Sequence, residues 1–512
     1  MKFRLVPLTL FLLLSPGRLA SAQTSPPDNP SGSRKQPAER RTFVWQEPSP
    51  AQPPLLPPPP VIDLTPGGDK EAISALSQNQ ALLGRSADPA LAPPAPVLIR
   101  AILGFVALLV LAYVWGQPRV QKLERRLNIA HMITAGLPFL FLGFVASQPA
   151  VGILTPSVLR EIGPLLPLGL GWIGFVIGSR FDARALDKLP QGTGAAVMLT
   201  TAIPVIVILG TCGLLLLGVL PALTISRAPG ALRDALLLAT AGAMAARSAP
   251  HFVQAFSPGD TVSERLVRIT ELEQLAGVFG MMMVSAYFRP QGVTVAWQLP
   301  GTAWLFVTLG IGTTMGVVIY ATLTRINKGP QFTAVLLGSI AFTAGMASFL
   351  RLSTISVSFI AGAIVANLGG DWREPLRDLL VRLERPVYFV FLVIAGALWR
   401  PWEWQGWVLM LVFVAGRFAS KWLAADLLER FWAPELTVSE RRTLIGAPMG
   451  ALSVAIVVSA QDLFSGPTLG WIVTAVIGGA IIMEIALQIA ARRAARQLAA
   501  SEEASGRAYE VN

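Results

Sequence analysis

The chain has 512 residues, 53% hydrophobic and only 14% charged, where soluble domains carry about 25% charged residues. That composition excludes an ordinary soluble enzyme and predicts an all-α, polytopic membrane protein whose main partner is the lipid bilayer. The net charge of +11 comes without a basic block interleaved with aromatics, so nucleic acid is not an expected partner and the excess is assigned to cytoplasmic loops.

One cysteine, Cys212, and two histidines, His131 and His251, rule out an internal disulfide. They also argue against a metal centre or a Ser-His-Asp triad, and no cofactor is expected. The chain opens with MKFRLVPLTLFLLLSPGRLASAQ: basic residues, a short apolar run, then small residues. This is the layout of a signal peptide over 1–22, and the run is too short to span a bilayer. Residues 23–96 are proline-rich, which favours extended polyproline II and cannot support a packed core. They read as a disordered extracytoplasmic arm, a spacer or a partner-binding segment, with a short helix near KEAISALSQNQALL.

From 97 to 491 the hydropathy predicts about thirteen transmembrane helices of bilayer-spanning length. Their expected limits are 98–116, 130–147, 160–180, 194–220, 232–256, 262–288, 300–324, 331–350, 353–369, 385–400, 404–426, 442–463 and 467–491. With the mature N-terminus outside, the outer loops hold only Arg160, Arg227, Arg233, Arg289, Arg351 and Arg400. The inner loops hold most other basic residues, among them Arg119, Lys122, Arg125, Arg126, Arg265 and Arg268. The positive-inside rule then places the short 492–512 tail in the cytoplasm.

Two of these spans are interrupted. The fifth, LLLATAGAMAARSAPHFVQAF, carries Arg247, Ser248 and Pro250; the twelfth, TLIGAPMGALSVAIVV, carries Gly446, Pro448 and Gly450. Proline removes a donor and frees a carbonyl one turn back, and glycine permits unwinding. In transporters, paired interruptions of this kind mark a substrate site near the midplane. The two are seven spans apart, so they run in opposite directions, as an inverted repeat of spans 2–6 and 9–13 requires.

The sixth span, TELEQLAGVFGMMMVSAYF, begins with two carboxylates. Thr261 and Glu264 form a capping box, and a helix starting there puts Glu273 about 17 Å deep. Glu273 is therefore expected near mid-membrane with Gln274 beside it, and Glu271 at the wet end. A buried charge at that depth needs a task or a partner. Arg247, on the preceding antiparallel span, is the expected partner. Gly174 and Gly178 fit a close helix contact inside the protein.

The order of several stretches resembles the cation/proton antiporter superfamily, the fold of bacterial sodium/proton exchangers. The similar stretches are LGLGWIGFVIGSRFDARAL, TISVSFIAGAIVAN, RPVYFVFLVIAGALW, VAGRFASKWLA and GAPMGALSVAIV. The resemblance implies a secondary transporter of a bacterial inner membrane, a homodimer, that exchanges a monovalent cation, Na+ or K+, for a proton by alternating access. It assigns the ion-binding carboxylate to Glu273, the family's basic residue to Arg417, with Lys421 one turn on, and the first crossover to Ser248-Ala249-Pro250. Leu272 stands where the family has a polar residue, and the crossover aspartate is replaced by Ala249. Two alternatives stay open: an anion or organic-acid carrier on the same fold, and a transport-inactive membrane sensor or scaffold.

Overall fold

In a bilayer every backbone polar group must be satisfied within the protein, so long apolar runs fold as helices. The computed structural model describes Gly104 and residues 137–149, 153–154, 158–159, 162–181, 193–218, 230–246, 264–289, 299–326, 330–369, 372–431 and 438–510. The helices are α1 (Leu137–Ser147), α2 (Leu165–Ser179), α3 (Thr193–Leu216), α4 (Ala231–Ala243), α5 (Glu264–Tyr287), α6 (Gly301–Leu323) and α7 (Pro330–Phe349). They continue with α8 (Thr354–Asn367), α9 (Arg373–Leu398), α10 (Trp404–Phe431), α11 (Val438–Gly446), α12 (Ala451–Leu463) and α13 (Thr468–Glu510). No strand occurs among the described residues. Six helical stretches are long and apolar enough to cross a membrane, and the protein is a multi-pass membrane protein.

The signal peptide, the arm and, apart from Gly104, the first expected span lie outside the described residues. Elsewhere the expected limits differ in several places, the expected 232–256 span already leaving the helix after Ala243. The expected 442–463 span is two helices, α11 and α12, separated by non-helical residues 447–450. The tenth begins at Arg373 instead of 385, because REPLRDLLVRLE is helical but too charged for hydropathy to register. The last continues to Glu510; its tail is rich in alanine, arginine and glutamate, all strong helix formers.

Packing sorts the helices into two bundles. α3, α4, α5, α10, α11, α12 and α13 pack mainly on one another, and α1, α2, α6, α7, α8 and α9 do likewise. The boundary between them is thin: α5 against α6 and α8, and α12 against α2 and α8. Exchanging α1–α5 with α8, α9, α10, α11–α12 and α13 turns the α1·α9 contact into the α2·α8 contact. It maps the α3·α10 and α4·α12 contacts onto themselves. The inverted repeat is therefore present in the packing.

Both exchanged contacts are built the same way, with backbone against backbone. A Cβ on Gly143 of α1 would strike the Val393 carbonyl of α9, and one on Gly396 of α9 would strike the Leu140 carbonyl of α1. Likewise Gly174 and Gly178 of α2 face the Ile355 and Phe359 carbonyls, and Gly362 of α8 faces the Phe175 carbonyl. The Gly174/Gly178 pair thus serves an internal contact. Gly178→Ala should lower stability by about 1–3 kcal/mol, since the added methyl meets unyielding backbone. Gly210→Ala, where an added Cβ meets nothing within 4 Å, should raise it by about 0.5–1 kcal/mol. Thermal unfolding of the two variants in detergent checks the pair; equal shifts would contradict this packing.

Candidate functional site

α4 stops at Ala243, and Met244 is already extended, with φ −80 and ψ 147. The last turn of any helix leaves carbonyls without internal donors. α11 stops at Gly446 for a related reason: Pro448 disfavours helical backbone at the residue before it and contributes no N–H. The two interruptions then cross. Ala246 N donates to Pro448 O at 2.7 Å, and Ser453 Oγ donates to Ala241 O at 2.9 Å. Gly450 allows the approach, since a Cβ there would lie 3.1 Å from Ala246 Cα.

Three carbonyls at the breaks converge on one side chain. Arg417 of α10 is fully buried. Its Nε donates to Gly242 O at 2.9 Å, one terminal nitrogen to Met244 O at 2.9 Å, and the other to Ala447 O at 2.9 Å. Both α4 and α11 point their C-terminal, negative ends at this guanidinium, so the charge is matched by two helix dipoles as well as by hydrogen bonds.

One turn along α10, on the same face, sits Lys421, also buried. Its Nζ lies 2.8 Å from Glu273 Oε1 and donates to Thr200 O at 3.0 Å. Glu273 itself is 1% exposed, nine residues into α5 and so about 14 Å along it. Its second oxygen, Oε2, is buried with no hydrogen-bond partner among the described residues. Glu271 lies on another face, 28% exposed and 3.2 Å from Arg268. A buried ion pair with one bare carboxylate oxygen, beside crossed unwound segments, can accept a further cation or proton.

The expected site residues fall as follows. Arg417, Pro448 and Gly450 meet at the crossing, with Gly446 ending α11, and Glu273 is linked to it through Lys421, one turn along α10 from Arg417. Gln274 is buried next to Glu273, though adjacent helical residues face different ways. Arg247, Ser248 and Pro250 lie outside the described residues, so the Arg247–Glu273 pairing is not seen; the described partner of Glu273 is Lys421. That lysine was readable in principle. WVLMLVFVAGRFASKWLAA is an apolar run with two basic residues four apart, and each needs a counter-charge or freed carbonyls at that depth.

No protein-family model and no curated protein sequence matches the chain. Among solved structures it is similar to the sodium proton antiporter MjNhaP1 from Methanocaldococcus jannaschii. The likeness has a TM-score of 0.54 and 17% sequence identity, covering 77% of this chain and 99% of that one. The chain therefore shares the fold of that structure.

Removing one member of a buried pair strands the other charge, which costs about 3–5 kcal/mol. Lys421→Met and Glu273→Met should each destabilise by that order, and the double variant by less than either single. Unfolding measurements on the three proteins decide this; additive losses would mean the two groups are not coupled.

Proposed function

We propose that this protein is a secondary transporter exchanging a monovalent cation for a proton by alternating access. The observation that carries the reading is the buried Glu273–Lys421 pair, with Oε2 of the carboxylate left bare beside the crossed helix breaks. In the resting pair the site holds a carboxylate and an ammonium. A cation arriving at Glu273 takes the place of the ammonium, the Lys421 Nζ–H bond breaks, and the proton leaves to water on the open side. One positive charge enters and one departs, so the dry core keeps its total charge and exchange is one for one. Lysine can perform this step, whereas arginine keeps its proton. Arg417 therefore serves the breaks and Lys421 serves the proton.

The thin boundary between the two bundles supports alternating access, since little packing must be remade when one slides against the other. On this reading the N-terminus lies outside, the C-terminal tail is cytoplasmic, and the unit in the bacterial inner membrane is a homodimer. Na+ and K+ both meet the charge requirement.

In proteoliposomes, Glu273→Gln should abolish cation-driven pH change while leaving folded protein in the membrane, because the amide keeps the shape and cannot hold the cation. Lys421→Arg should also abolish it, since the charge stays and the proton cannot leave. Sodium- and potassium-driven pH changes, with an anion panel in parallel, make the measurement. Full activity in Lys421→Arg would refute the proton role of the lysine, and anion uptake that survives Glu273→Gln would favour the anion carrier.

A further inference from the structure

Pro204 sits inside α3, and a proline there leaves the carbonyl four residues earlier without its helical donor. That residue is Thr200, and its freed carbonyl is the one that accepts from Lys421 Nζ at 3.0 Å. The Thr200 hydroxyl is committed elsewhere, donating to Ala196 O at 2.9 Å. α3 carries no charged side chain anywhere in Thr193–Leu216, so what it contributes to the buried pair is this one main-chain oxygen.

The ammonium is thus held by two oxygens from different helices, Glu273 Oε1 from α5 and Thr200 O from α3. Both have lone pairs that suit a dehydrated monovalent cation as well as they suit an N–H. We infer that the Thr200 carbonyl, exposed by Pro204, is an ion ligand: it holds Lys421 when the site is empty and the transported cation when the lysine has released its proton. This rests on the exchange reading above and adds to it a backbone ligand and the proline that creates it. Pro204 is a positioning residue, acting through the oxygen it sets free. Among the described residues the charges acting on Lys421 are Glu273 and Arg417, the latter bound to the helix breaks.

The test is Pro204→Ala in the full chain, reconstituted, with sodium and potassium titrated separately. Alanine returns an N–H to the Thr200 carbonyl and draws the oxygen back along the helix axis. The variant should fold at least as well as the wild type, because a helix-interior proline has been removed. Its KM for the cation should rise about tenfold or more while its maximal rate stays within about twofold. Pro386→Ala, at the proline inside α9 in the other bundle, controls for a general effect and should change neither value. Should Pro204→Ala fold poorly, Pro204→Gly restores the same N–H with freedom to keep the bend, and the same rise is expected. An unchanged KM in a folded Pro204 variant, alongside a dead Glu273→Gln, would overturn the inference alone. An active Glu273→Gln would overturn the exchange reading and the inference with it.

Discussion

Everything at the centre of this protein depends on one constraint: backbone that leaves the helix inside a membrane must find partners within the protein. Two helices break here, and their freed carbonyls would each carry a large desolvation penalty if left alone. Arg417 answers three of those carbonyls by itself, donating to Gly242 O, Met244 O and Ala447 O. Its planar fork suits the task, because three donors reach three carbonyls without strain on a flexible stem. The direct Ala246–Pro448 hydrogen bond then ties one break to the other.

The chemistry is attached to this scaffold through a single helical turn. Arg417 and Lys421 share a face of α10, so whatever fixes the guanidinium also fixes the ammonium four residues on. Lys421 in turn links α10 to α5 through Glu273 and to α3 through Thr200 O. The other bundle contributes none of these groups. It is stiffened by the glycine-packed α1·α9 and α2·α8 pairs, where backbone meets backbone. The glycine-packed bundle thus lies beside the bundle that holds the buried pair, with a thin boundary between them.

Much of this was legible in the residues. Apolar run length located nearly every described helix, and Gly446, Pro448 and Gly450 located the second break, because proline and glycine act on their own backbone. Glu273 stood out by depth alone. What the sequence could not supply was partnership. The contact of Glu273 with Lys421 is set by how α5 packs with α3 and α10, which hydropathy does not encode, while Arg247 lies outside the described residues. The charged first half of α9 was missed for the opposite reason: hydropathy reports burial in lipid, and REPLRDLLVRLE forms helix without it. Pro204 carries no such signal in the sequence, since the acceptor it frees becomes meaningful only once Lys421 is seen beside it.

The central claim is that a cation and the Lys421 proton compete for one site. It is tested most directly by adding sodium or potassium to the purified protein in weakly buffered detergent and following proton release with a pH-sensitive dye. The account predicts about one proton released per cation bound, with release absent in Lys421→Arg. Saturable cation binding at Glu273 with no proton released would contradict it.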